Sequence, residues 1–389
     1  MKLVRNFKFF FLFIRDFFVV VFSDEFKHVV GEIIHEVKLL RNLIISLKQK
    51  QIAKIEVFSS DLFPSFKYLI STNKGIYLLE KSKIFRLYKG DVHGLCINEK
   101  IIFFSVFTGR HSSILQAEIC CKKKILLNLK RLISFETRYN NERIHGMCYD
   151  KKRNLILIAN TKRNSILYYD FKTKKKINEI FVMSDKTKFK ICTDHNHINN
   201  ISLHNNNILF TCHNGSIGKK NKGGSLIGFI DKNKIYFYEY KNRGVHDIVL
   251  FKNNLLINDS FGNFEGSSAG PRLNGKAYKQ NIFKKLNSEY MIRGLSFHEE
   301  ESIFGCSGLQ LKRKLRLNTS GAIILLKNNK YIIKKFDFSQ VNEIKRIEIN
   351  ENNFDTNKPL ADIFKKSFGK CVHVENIDDE INFAKLKTF

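Results

Sequence analysis

The chain of 389 residues has no tryptophan, three prolines and four methionines, and its 37 acidic residues are outnumbered by 67 Lys and Arg, for a formal charge of +30. Proline this scarce excludes a polyproline or collagen-like design. The acid deficit raises the question of a polyanionic partner. The basic residues occur in short runs such as Lys122–Lys124, Lys174–Lys176 and Lys312–Lys314, where turns are expected. With 36 Phe and abundant Lys, Ile and Asn throughout, the composition reads as drift toward AT-rich codons. A solvated basic surface follows, and a nucleic-acid partner is not expected.

Closely spaced cysteine pairs of the CxxC type are also missing. The eight cysteines stand at 96, 120, 121, 148, 192, 212, 306 and 371, and Cys96, Cys148, Cys212 and Cys306 fall inside predicted strands. This excludes a zinc knuckle and argues for reduced, buried thiols in a cytoplasmic protein. No organic cofactor is indicated.

No apolar run is long enough to span a bilayer. Residues 8–22, KFFFLFIRDFFVVVF, are interrupted at Arg15-Asp16, each half falls well short of the ~20 residues needed, and no small-residue cleavage site follows. Residues 24–48 carry Val29, Val30, Ile33, Ile34, Val37, Leu40, Ile44 and Leu47 at helical spacing, with Asp24 as N-cap. Residues 1–50 are therefore expected to form a helical arm folded against the main domain. Peripheral membrane attachment through the Phe-rich segment is the sharper reading.

From about residue 55 the pattern changes to short alternating strands with Asn, Lys and Gly turns. Five openings recur: VHGLCI at 92–97, IHGMCY at 144–149, NHINNI at 196–201, VHDIVL at 245–250 and IRGLSF at 292–297. From His93 through His145, His197 and His246 to Arg293 the steps are 52, 52, 49 and 47 residues. Each opening leads through a turn into a second apolar strand, and later strands follow. A unit of about fifty residues with about four strands is the size of a propeller blade. KYLISTNKGIYLLEKSKIFRLY at 67–88 supplies three strands of a further blade, and strands near 332–350 can pair with it and close the circle. The expectation is an all-β, six-bladed β-propeller over 55–350 with an N-terminal helical arm. The tail, 351–389, is polar, with a short helix near 360–368.

The motif H-G-[LM]-x-[YI], followed by a turn and an apolar strand, resembles six-bladed propellers of the NHL, virginiamycin B lyase and gluconolactonase type. GIYLL at 75–79 and NHINN at 196–200 also resemble blade patterns of poorly characterised bacterial propeller proteins. The lack of tryptophan separates the chain from WD-repeat propellers. Gluconolactonase-type members hold calcium with a Glu, Asn and Asp set, and no Glu stands at a matching strand end here. The resemblance implies the fold.

In a blade the first strand lines the central channel and pairs antiparallel with the second, so the start of one lies beside the end of the other. This sets His93 near Thr108, His145 near Asn160 and Thr161, His197 near Cys212 and His213, His246 near Asp259 and Ser260, and Arg293 near Ser307, with His195 close by. The expected site is this channel mouth. His93, His145, His197 and His246 are candidate ligands for a divalent transition metal such as zinc, iron or manganese. Asp259 is a candidate ligand or base, and Arg293 a clamp for a carboxylate, sulfate or phosphate. The expected function is ligand binding at that mouth, extending to a metal-dependent lyase or hydrolase on a small anionic or sugar-like substrate. The alternative is a non-catalytic scaffold for a glycan, peptide or protein. In the bland reading, the histidines hydrogen-bond neighbouring blades and recur by duplication. His111, His204, His298 and His373 read as turn or surface residues. FGNFEGSSAGPRLNGKAY at 261–278 reads as a long loop at the mouth.

Overall fold

A computed structural model describes residues 24–48, 55–56, 62–108, 112–135, 144–182, 196–213, 224–242, 244–260, 270–278, 282–283, 290–298, 300–308, 319–328, 330–337, 340–347 and 358–377. Alternating or wholly apolar runs bounded by turns fold into six sheets in which every pair of neighbouring strands is antiparallel. The first sheet is Asp91–Asn98, Ile101–Phe107, Ser112–Cys120 and Ile125–Phe135, laid side by side in chain order. The next four begin at Ile144, Ile198, Val245 and Tyr290 and repeat that order. The sixth joins the two ends of the repeat region. Val341–Arg346 pairs with Tyr68–Thr72, Ile70 opposite Ile344, and Gly75–Glu80 and Lys83–Lys89 follow outward. The chain is a six-bladed β-propeller.

The apolar core is divided among the blade interfaces. Phe103, Met147 and Ile156 fill the space between blades one and two. Leu157, Ile201 and Phe210 lie between two and three, Leu209, Ile248 and Ile257 between three and four, and Leu256, Ile292 and Phe304 between four and five. Ile303, Ile323 and Ile70 join five to six, and Leu69, Ile76 and Phe104 join six to one. Every sheet is thus apolar on both faces, as sheets packed in a closed ring require. Cys96, Cys148, Cys212 and Cys306 are buried and unpaired within it.

Two outer edges are covered. Ile55–Glu56 pairs with Lys83 and Ile84, and the tail strand His373–Asn376 pairs with Lys234–Phe237 of blade three. Helix α1 (Asp24–Lys48) lies against blades six and one, and helix α2 (Leu360–Phe368) against blades three and four. Phe364 of α2 is fully buried, 4.9 Å from the Phe229 ring and 5.2 Å from that of Tyr238.

Two sequence expectations are corrected here. The segment read as a loop over 261–278 contains the outer strands of blade four, Gly270–Leu273 and Lys276–Ala277. Asn274 and Gly275 join them with φ of 49° and 75°, the left-handed pair of a two-residue hairpin turn. Residues 261–269 lie outside the described residues, as does His111. His204 is not a surface residue but 3% exposed, at the end of the strand Ile198–His204.

Candidate functional site

The innermost strand of every blade begins with a register shift, and that irregularity builds the channel mouth. Against its partner strand the shift falls between Val92 and Leu95, between Ile144 and Met147, and between Ile198 and Asn200. In the other blades it falls between His246 and Ile248, between Ile292 and Leu295, and between Val341 and Glu343. Aligned on these shifts, all six strands carry two apolar residues three positions apart: Val92/Leu95, Ile144/Met147, Ile198/Ile201, Val245/Ile248, Ile292/Leu295 and Val341/Ile344. These twelve pack between blades, none more than 4% exposed. The two residues between each pair face the channel, giving two stacked rings of six. The outer ring is His93, His145, Asn199, His246, Arg293 and Asn342. The inner ring is Gly94, Gly146, Asn200, Asp247, Gly294 and Glu343.

The inner ring fastens each blade to the next. Where it holds a polar side chain, that side chain accepts from the following blade's backbone. Ile248 N–H donates to Asn200 Oδ1 (3.3 Å), Gly294 N–H to Asp247 Oδ2 (2.9 Å) and Leu95 N–H to Glu343 Oε2 (2.6 Å). Where it holds glycine, the next blade comes too close for a side chain. A Cβ on Gly94 would stand 2.3 Å from the His145 carbonyl oxygen, and one on Gly146 would stand 2.7 Å from Asn200 Cα. The His-Gly motif therefore has a structural cause in its second residue. Asn199 and Asn342 of the outer ring make similar bridges, donating to the Val245 and Val92 carbonyls at 2.7 Å each.

His197 is not the ring residue of blade three; Asn199 is. His197 stands one residue before the apolar anchor, with φ of 58°, and His213 N–H donates to its carbonyl at 2.9 Å. Both imidazoles still reach the mouth. Ring centroids run from His93 to His145 (5.1 Å), His197 (5.2 Å), His213 (5.1 Å) and His246 (5.0 Å), mostly edge to face. Arg293 completes the arc, its Nε–H donating to His246 Nε2 at 3.0 Å. The structure thus brings together His93, His145, His197, His246 and Arg293. It adds His213, which the strand register had already placed beside His197.

Asp259 is elsewhere. Along its strand Asn258 pairs with His246 and Asp259 with Val245, so alternation turns the carboxylate away from the channel. Asp259 is fully buried and its Oδ2 accepts from Tyr240 Oη (2.9 Å), Asn242 Nδ2 (2.6 Å) and Arg272 (3.3 Å), while burial raises its pKa above the usual carboxylate value. The carboxylate nearest to the expected role is Asp247, adjacent to His246 and held by Asn258 Nδ2 at 2.8 Å. The sixth opener, VNEIKR at 341–346, contributes Asn342 and Glu343. Its signal in the sequence is the apolar pair three residues apart. His195 lies outside the described residues.

The electrostatics follow from burial. Burial, with the neighbouring His93, His197 and Arg293 charges, pushes His145 well below the usual histidine range. His246 is lowered likewise by burial and then by Arg293. Because His246 Nε2 accepts from Arg293, the ring proton sits on Nδ1, where it donates to the Gly244 carbonyl and Ser260 Oγ, both 2.9 Å away. Ser260 passes its own hydrogen to the Ile292 carbonyl of the next blade. Burial raises Asp247, and it pushes Glu343 up to about 8, with Asp247 adding to the shift. Burial thus biases Glu343 toward its protonated form. Its Oε1, both His93 ring nitrogens and His145 Nε2 have no hydrogen-bond partner among the described residues, although His93 Nε2 lies 3.3 Å from Asp91 Oδ1. The rings enclose a cavity of about 10 Å³, the space of one water molecule. Behind it a second cavity of about 50 Å³ is lined by Asn200, Asp247, Cys148, Ser202, His204 and Lys345.

Among the described residues no three His, Cys, Asp or Glu side chains form a group able to hold a metal. The imidazoles touch in sequence along an arc, and both nitrogens of His246 are engaged. As arranged, the set does not fit a metal.

No family model and no curated protein matches the chain. Among solved structures it is similar to a Bacteroides uniformis protein named for 6-phosphogluconolactonase (9% identity, TM-score 0.42, covering 72% of this chain and 99% of that one). A Thermus thermophilus protein named for an oxidoreductase of the glucose dehydrogenase type gives 9%, 0.42, 73% and 98%. A chain of the nidogen/laminin complex gives 8%, 0.41, 73% and 98%. At scores of this size the architecture rests on strand order and register, and these identify the chain as a six-bladed propeller.

Proposed function

We propose that the chain is a ligand-binding propeller that recognises an anionic group on a small molecule, glycan or peptide at the channel mouth. The observation that supports this is Arg293, a half-buried guanidinium whose imidazole neighbours include two held neutral by burial. A guanidinium there can meet a carboxylate, sulfate or phosphate through charge-assisted hydrogen bonds. The two cavities described, of about 10 and 50 Å³, are too small for a substrate, so the ligand rests on the outer ring, with Arg293 beneath it. Calorimetric titration with phosphate, sulfate and simple carboxylates tests the reading. Binding by the parent chain that weakens at least about tenfold in Arg293→Gln, with melting unchanged, supports it. Equal affinities, or no saturable binding by the parent, overturn it.

The finer reading, a metal-dependent lyase or hydrolase, needs three of His93, His145, His197 and His246 on one metal, and any set that includes His246 requires it to release Arg293 or its Nδ1 partners. Elemental analysis of untagged protein checks this. Stoichiometric zinc, iron or manganese that is lost in His145→Ala/His197→Ala would restore the metal reading.

A further inference from the structure

Helix α1 turns one face to the propeller and the opposite face outward. Toward the propeller, Leu39 packs in the apolar cluster that joins blades six and one. Beside it His35, 1% exposed, bonds Ser113 Oγ through Nε2 (2.5 Å) and Thr108 Oγ1 through Nδ1. On the far side Ile33 is 48% exposed, Val37 52%, Leu40 57% and Ile44 40%, and half-buried Val30 begins the same row. From Val30 the steps are three, four, three and four residues, the alternating a and d positions of a heptad. His35 then falls at f and Leu39 at c, on the side away from an a/d seam. Docking on the propeller therefore leaves the seam open.

We propose that this seam pairs in parallel with the same seam of a second copy, as a short two-stranded coiled coil. Three observations select that occupant. First, the a positions, Val30, Val37 and Ile44, are all β-branched, and Leu40 stands at d beside Ile33, choices that favour two parallel strands. Second, exposed charges of opposite sign rim the seam, Glu36 at g and Arg41 at e. In a parallel pair Glu36 of each copy lies beside Arg41 of the other, twice over by symmetry, while Glu36 also meets Arg131 of its own chain. Antiparallel pairing sets e against e and g against g and loses both contacts, and an anionic lipid surface would repel Glu36. Third, the propeller-facing positions lie opposite the seam, so two-fold pairing puts the two propellers on opposite sides of the helix pair. No described helix is long and apolar enough to cross a membrane. Residues 8–22 lie outside the described residues and form no part of the seam.

The seam is short, in the class of weak contacts below about 1,200 Å² in total, so pairing is expected at roughly 10–100 µM. Sedimentation velocity of the full chain over a concentration series tests it. The parent is expected to shift from one copy to two. Val37→Glu/Leu40→Glu, which alters only exposed positions, is expected to raise the dissociation constant at least about tenfold, with melting of the dilute protein unchanged. Ile44→Cys is expected to cross-link to itself on air oxidation where the parent does not, since that position faces its own equivalent only in a parallel pair. Arg293→Gln is expected to pair like the parent, which separates this inference from the channel reading. A parent that stays monomeric, equal association of the double variant, or absence of the cross-link overturns the proposal. So does flotation with phosphatidylserine vesicles that the double variant loses, because the stripe then belongs to a lipid surface.

Discussion

Gly94 and Glu343 occupy equivalent inner-ring positions and hold the propeller together by opposite means, one by having no side chain and the other by reaching the next blade with one. Gly94→Ala drives a Cβ into the His145 carbonyl and is expected to destabilise by about 1–3 kcal/mol, read as a fall in urea midpoint without change in slope. Glu343 has a pH signature. Its pKa is about 8 in the folded chain against 4.5 in the unfolded one, so it costs nothing below pH 4.5. Stability is then lost as pH rises, fully by about pH 8. At ~1.36 kcal/mol per unit the loss is at most about 5 kcal/mol. Glu343→Gln is expected to abolish that slope in melting temperature between about pH 4.5 and 8; a slope that persists assigns it to another group. His145 and His246 act with the opposite sign. Their lowered pKa values mean that the unfolded chain takes up protons first, so their contribution is lost as pH falls below about 6.5.

At the scale of elements, the repeating openers make the blades legible because apolar strands and turn residues recur whether or not the site does. What the sequence hid was register. NHINNI offers a histidine and two asparagines, and matching histidine to histidine placed His197 where the anchors Ile198 and Ile201 put Asn199. VNEIKR has no histidine and passed for a plain closing strand, yet it supplies Glu343. Asp259 was drawn to His246 by strand pairing, and the side-chain alternation that separates them depends on a bulge invisible in sequence. Helix α1 was legible as a helix but not by face, since periodicity marks an apolar stripe without saying what covers it. The tail element makes its own prediction. Phe364→Ala leaves a void against Phe229 and Tyr238, and is expected to cost about 3–4 kcal/mol. It is also expected to speed hydrogen exchange along Lys234–Tyr240, the edge that the tail strand covers.

The whole molecule is a ring closed by one strand. Val341–Arg346 carries part of the channel and pairs with Tyr68–Thr72 from the other end of the repeats, so closure and site assembly are the same event. Glu343 bonds Leu95 N–H and Asn342 bonds the Val92 carbonyl across that seam. Ile344→Asp, which buries a charge at the seam, is expected to unfold all six blades in one transition, with no state retaining five. The proposed recognition point of this ring is Arg293, donating to a neutral His246. Histidine-selective ¹⁵N NMR of the folded chain tests it most directly. The expected result is a His246 imidazole with its proton on Nδ1, still neutral at pH 6, whose Nε2 signal moves when phosphate or a simple carboxylate is added. A His246 that titrates near pH 6.5, or an Nε2 signal indifferent to every anion, would contradict it.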